Sequence, residues 1–297
     1  MADFFTEDQK RRFLKPFLED DTYLLGAART EPNAGSDHRL PPEDAPKAGF
    51  SVKAERQGDE WVLNGEKCFM ANGCVAKLFS VSARTDSHLG FRDGSTEFLV
   101  STDTPGFRIG KVFNKSGWRF YQNAELIFEN TRVPHTNVLG EVNGCFKLRA
   151  GMSAAFGDLE LAANAVGVCQ AALDMAIEYG KTRLPKARYI LDNQTIQLKL
   201  SEMMMHTEAL RSFVMRVAGE MDDRTKRHDS VTHVLLHNYS CDVIQKVTQL
   251  NLDIHANGGT TAMSERADKL ARDGVIWTHL AGDSVQRMKA VRRLNLN

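Results

Sequence analysis

Thr30-Glu31-Pro32-Asn33-Ala34-Gly35-Ser36-Asp37 decides the reading of this chain, because three further blocks follow it in order. They are Trp61-Val62-Leu63-Asn64-Gly65-Glu66-Lys67, then Phe128-Glu129-Asn130-Thr131-Arg132-Val133-Pro134, then Asn137-Val138-Leu139-Gly140-Glu141. Taken together they read as a loop, a β-domain and a closing strand. Within the loop, Gly35 permits close approach to the backbone, and the hydroxyls and amides around it can satisfy phosphate or ring acceptors. Without the other blocks, it would read as an ordinary polar loop.

Outward from that loop, about Gly49 to Arg132 reads as β-structure. Phe50–Glu55 alternates, and Gln57-Gly58-Asp59 closes it. Trp61–Leu63 and Lys67–Ala71 flank Asn64-Gly65, a pair that favours a two-residue hairpin turn. Further strands are expected at Leu78–Ala83, Glu97–Ser101, Phe107–Lys111 and Ala124–Glu129, separated by turn clusters. Short strands at this spacing predict a small antiparallel barrel or sandwich. From Cys145 onward the period changes. Ile196, Leu200, Met203, Leu210, Val214, Val217 and Met221 mark one buried face of a long helix, and Glu160–Gly180 and Val231–Ile254 behave alike. No proline follows Pro185, so the last hundred or so residues can run as uninterrupted helices. The expected fold is α+β and multidomain: an antiparallel β-barrel or sandwich followed by a four-helix-bundle-like domain. The boundaries are a helix in 1–24, the β-domain in 25–142 and the helical bundle in 143–297.

Composition narrows the function. Lys+Arg and Asp+Glu are both 38, so no net field draws in nucleic acid or an anionic membrane. The apolar runs are too short for a membrane span, and the start lacks the features of a secretory signal. Cys68, Cys74, Cys145, Cys169 and Cys241 are odd in number and scattered, which suits buried thiols in a reducing compartment and a cytoplasmic location. His38, His135, His233 and His237 make no metal-ligand set; they read as structural or solvated. Met203-Met204-Met205 reads as core packing.

In order and spacing, the four blocks resemble the acyl-CoA dehydrogenase family of flavoproteins. The resemblance implies FAD held by the β-domain and the C-terminal bundle, and an acyl-CoA thioester whose Cα–Cβ bond is oxidised. A carboxylate takes the α-proton, and the β-hydrogen leaves as hydride to the flavin. It implies further that Thr30 lies near the flavin ring and Ser36 near the pyrophosphate. Phe69 stands where a tryptophan is common and can still cover a ring face; Ala71 stands where a hydroxyl is common. Arg183 matches an arginine that reaches the FAD of a neighbouring subunit, and Gln194 a helix-borne glutamine. Asn257-Gly258-Gly259-Thr260-Thr261 matches a glycine loop that contacts the partner's FAD, with its last glycine lost. The family further implies a homo- or hetero-oligomer, dimer or tetramer, and an electron-transfer flavoprotein or similar acceptor.

Two features depart from the family. After Arg272-Asp273 the position of the usual catalytic glutamate falls on Ala281, or on Leu280 if a one-residue gap lies elsewhere, and neither takes a proton. Some members carry the base on the first long helix of the bundle, at a position matching Gly157. Its neighbour Asp158 is either the base or an acidic residue favoured by the helix dipole, and Glu160 is a weaker candidate. The second departure is at the front: Thr6–Leu14 resembles the last helix of an N-terminal domain that is otherwise missing, so an apolar patch is expected. Besides the dehydrogenase, alone or as one subunit of a heteromer, two alternatives stand: a same-fold flavoenzyme with different chemistry, and a non-catalytic or degenerate subunit that keeps the fold for assembly.

Overall fold

The computed structural model describes residues 4–40, 44–120, 122–150, 154–185, 187–223, 231–261, 265–280 and 284–292. The chain divides into two compact units. One comprises 1–115 and 119–153; the other comprises 116–118 and 154–297.

In the first unit, Thr6 and Gln9 form a reciprocal capping box on α1 (Glu7–Gln9), which runs through a π turn into α2 (Lys15–Glu19). The Gln9 amide also donates to the carbonyls of Thr136 and Val138, each at 2.8 Å, tying this segment to the β-structure. The strands are β1 (Leu24–Ala28), β2 (Lys53–Gln57), β3 (Glu60–Ala71), β4 (Ala76–Arg84), β5 (Ser95–Ser101), β6 (Phe107–Val112), β7 (Asn123–Pro134) and β8 (Val138–Leu139). They pair in the order β6-β7-β3-β2-β4-β5-β8, with β1 on β4. Most pairings are antiparallel as expected, but β1 and the start of β2 both join β4 in parallel, so the sheet is mixed. Alternation along β4 and β5 serves two cores. Phe79, Val81, Phe98 and Val100 enter one; Leu78 and Leu99 enter the other, with Phe13, Leu139 and Leu148, the last from α3 (Cys145–Ala150).

Asn64-Gly65 is not the hairpin its sequence predicts. β3 runs through it, and the turn lies one step earlier, at Gly58-Asp59, with Gln57 paired to Glu60 and Gly58 at φ 62°. Gly65 marks a bulge against β7 at φ 129°, and a Cβ there would lie 3.0 Å from the Val52 Cα. The Asn64 side chain accepts from the Asn130 N–H at 2.8 Å and donates to the Asn130 side chain at 3.2 Å. Long pairing with β7 thus outweighs the local turn preference.

The second unit is a bundle of α4 (Ala154–Thr182), α5 (Gln194–Asp222), α6 (Thr232–His255) and, after the short α7 (Asn257–Thr260), α8 (Glu265–Ile276); α9 (Ser284–Arg292) packs on α6. Ala162, Ala165, Cys169, Ala172 and Ala176 form a small-residue stripe on α4, in one core with Leu236, Ile244 and Val247 of α6. The expected α5 face is buried at Leu200, Met203, Leu210, Val214 and Val217, with Ile196 and Met221 packed partly against it. Of the three consecutive methionines only Met203 is core; Met204 and Met205 are exposed. No described helix is long and apolar enough to cross a membrane.

Candidate active site

The loop after β1 is anchored by a charge pair. The Thr30 carbonyl accepts from the Cys68 N–H at 2.8 Å, laying the loop against β3. The Glu31 carboxylate takes the N–H groups of Ser51 (2.6 Å) and Val52 (2.9 Å) and the Lys67 ammonium (2.9 Å). Lys67 also donates to the Arg29 carbonyl at 2.9 Å and sits over the Phe50 ring. Both side chains are almost completely buried, and burial lowers the Lys67 pKa to about 8 against the pull of Glu31. The two sequence blocks that carry Glu31 and Lys67 are therefore one structure. Its product is an anchored loop in which Thr30 and Ser36 are half-buried and a Cβ on Gly35 would meet nothing within 4 Å.

Phe69 stands beside this loop in a left-handed conformation, φ 63°, unusual for an aromatic residue. The Asn123 amide donates to its carbonyl at 2.6 Å, and its half-exposed ring packs on Phe113 at 4.7 Å. Ala71, at the end of β3, is exposed and brings no polar side chain. Thr30, the open Gly35 backbone, Ser36 and an exposed aromatic face suit a flat heteroaromatic ring with an attached phosphate.

In the helical unit the structure gathers the other expected cofactor residues at one end. Arg183 follows α4; its N–H reaches the Tyr179 carbonyl and its own carbonyl accepts from Ile190. Gln194 opens α5 behind the cap Asn193. Ala256, at φ 48°, ends α6 and leads into Gly258 and Gly259. The Tyr179 ring stacks on His255 at 4.2 Å, and its hydroxyl lies 3.6 Å from where a Gly258 Cβ would be. A Cβ on Gly259 would overlap His255 and Leu252 at 2.9 Å each, so packing alone demands that glycine. An exposed guanidinium, an amide and a glycine turn are a chemically sound set for a diphosphate.

Asp158 lies near the opposite end of α4, 25 residues from Arg183, or about 37 Å along a helix. Its Oδ2 is 2.6 Å from His233 Nδ1 near the start of α6, and the two side chains are only 12% and 13% exposed. Of the two readings of His233 from sequence, structural or solvated, its low exposure and its pairing with Asp158 exclude the second. The available signal was the spacing of His233, His237 and Cys241, which share one stripe of α6. Glu160 is exposed. Of the two positions matching the usual glutamate, Leu280 packs against the helical core and Ala281 lies outside the described residues.

Arg272 and Asp273, which precede that position, hold the segment Ser116–Trp118. Arg272 donates to the Ser116 carbonyl at 2.9 Å, and Asp273 accepts from the Trp118 N–H at 2.7 Å while also pairing with Lys269. Trp118 meets Trp277 edge to face at 4.6 Å, and the Trp277 indole donates to the Leu161 carbonyl one turn beyond Asp158.

Comparison with known proteins bears on what this arrangement is. Residues 26–131 match the acyl-CoA dehydrogenase middle domain and 152–294 the acyl-CoA dehydrogenase C-terminal domain. A Bacillus subtilis protein named Probable acyl-CoA dehydrogenase YngJ is 33% identical over 98% of this chain and 73% of its own length. The chain belongs to the acyl-CoA dehydrogenase family. Among other members, the short-chain-specific acyl-CoA dehydrogenase of Megasphaera elsdenii is 35% identical over 86% of this chain, which spans 63% of that enzyme. The solved butyryl-CoA dehydrogenase of the same organism superposes with a TM-score of 0.83 at 33% identity, over 98% of this chain and 72% of that one. A solved chain described with the electron transferring flavoprotein of Acidaminococcus fermentans gives a TM-score of 0.84 at 32% identity, covering 98% of this chain and 73% of that one.

Proposed function

We propose that this chain is an FAD-dependent acyl-CoA dehydrogenase acting on the Cα–Cβ bond of an acyl-CoA thioester, an oxidoreductase of the CH–CH class. The observation that carries the catalytic part is the buried Asp158–His233 pair, on the helix where some family members place their base. Proton acceptance falls to Asp158 and the histidine it holds. Thr30, Ser36, Phe69 and the backbone at Ala71 would hold FAD from the β-unit; Arg183, Gln194, Gly258 and Gly259 would do so from the helical unit. Bound FAD supplies the hydride acceptor.

The separation of about 37 Å between Arg183 and Asp158 along one helix supports a division of labour: the Arg183 end serves a cofactor held by a second chain. A dimer or tetramer, homo- or heteromeric, follows from that reading. The β-unit takes the acyl-CoA, the helical unit adds oligomerisation, and an electron-transfer flavoprotein or similar carrier reoxidises the cofactor. Free thiols at all five cysteines suit a cytoplasmic location. One second reading has an observation in its favour: Ala71 and Thr261 each remove a feature of the family's cofactor site, as a non-catalytic subunit would.

Asp158→Asn tests the catalytic reading. Flavin reduction by acyl-CoA is expected to fall on the order of 100-fold or more, with FAD still bound and its visible absorbance retained. Unchanged reduction in that variant would overturn the assignment.

A further inference from the structure

We propose that within the Asp158–His233 pair the proton-accepting atom is Nε2 of His233, and that Asp158 is a positioning residue acting through it. This deepens the base-site reading above and rests on it. An ionised carboxylate can only accept, so a 2.6 Å contact between Asp158 Oδ2 and His233 Nδ1 places a hydrogen on Nδ1. In that tautomer the lone pair lies on Nε2, which has no partner among the described residues. An imidazole is a stronger base than a carboxylate, and the adjacent Asp158 charge stabilises the imidazolium that forms.

The surroundings support a single acceptor. One turn along the stripe, His237 is buried and its Nε2 lies 3.8 Å from the Cys241 thiol. Burial pushes that thiol up to about 12, so it neither supplies nor takes a proton in the working range. In the proposed step the substrate Cα–H bond breaks and the Nε2–H bond forms. The electron pair stays on the α-carbon, delocalised into the thioester carbonyl. The oxidation, loss of the β-hydrogen with two electrons, belongs to the FAD chemistry already proposed.

The first test needs neither flavin nor substrate: long-range proton–nitrogen correlation of the 15N-labelled full chain, reading the His233 tautomer. The Nδ1–H form is expected in the wild type, with a shift toward Nε2–H in Asp158→Asn, whose amide can donate to Nδ1. A wild-type ring protonated on Nε2 alone would overturn the proposal, whatever the fate of the dehydrogenase reading. The second test follows exchange of the acyl-CoA α-proton with D2O in the FAD-loaded protein. His233→Gln is expected to lose about 100-fold or more, and Asp158→Ala, which leaves the imidazole in place, to lose less. Near-normal exchange in His233→Gln alongside none in Asp158→Ala would make Asp158 itself the base. Near-normal exchange in both variants would remove the base from this site altogether.

Discussion

Lys67→Met is expected to destabilise the chain by about 3–5 kcal/mol, because it leaves the Glu31 carboxylate buried without its counter-charge. Both partners lie out of reach of water, and the two N–H donors of Ser51 and Val52 only partly compensate the remaining charge. The Thr30 loop should loosen as well, since its contact with β3 relies on the same anchor. Glu31→Gln combined with Lys67→Met should recover part of the loss: no charge stays buried, and the Gln oxygen can still accept from one of the two N–H groups, which reach different carboxylate oxygens. Urea unfolding of the three variants reads this directly; additive losses in the double variant would contradict it.

The same lysine sets an alkaline pH dependence. Its pKa is about 8 in the folded chain against an ordinary 10.5. Between those values the unfolded chain holds the proton more firmly, so stability linked to Lys67 rises with pH across that window. It is lost again as pH falls through 8. The stability gap between wild type and Lys67→Met should therefore widen from pH 8 toward 10.5; a gap that narrows there would refute the assignment.

Gly117→Ala is expected to cost about 3 kcal/mol or more, the upper range for overpacking. A Cβ at Gly117 would sit 2.2 Å from the Arg272 carbonyl oxygen and 2.6 Å from its carbon. These are backbone atoms of α8, so no side-chain rotation relieves the overlap. Relief requires the segment to leave, which would break the Ser116 and Trp118 hydrogen bonds to Arg272 and Asp273 and uncover the Trp118–Trp277 contact. A red shift in tryptophan emission should accompany the stability loss. Gly219→Ala is the control: it lies exposed in α5 with open space around its Cβ, and alanine should be neutral or stabilising by up to about 1 kcal/mol. Equal effects of the two substitutions would refute the packing argument.

Much of the architecture is legible in the sequence because it rests on local period. The α5 stripe, the alternating β4 and β5 segments and the change of period near Cys145 all report burial of one face of a repeating element. What is not legible depends on partners distant in sequence. Asn64-Gly65 carries a hairpin signal, and only pairing with β7 some 60 residues later turns it into a bulge. Glu31 and Lys67 are ordinary polar residues until the fold brings them together across 36 positions. The same holds for the site. Thr30, Ser36, Arg183 and Gln194 are proposed from motif, whereas His233 is tied to Asp158 only by the fold, across 75 residues. Ser116–Trp118 carries no local mark of its attachment to α8.

The most direct test of the dehydrogenase reading is the visible absorption spectrum of the purified chain, recorded before and after anaerobic addition of acyl-CoA. The expected result is a flavin band that bleaches when the thioester is added. A colourless protein, or a flavin band that acyl-CoA leaves unchanged, would contradict it.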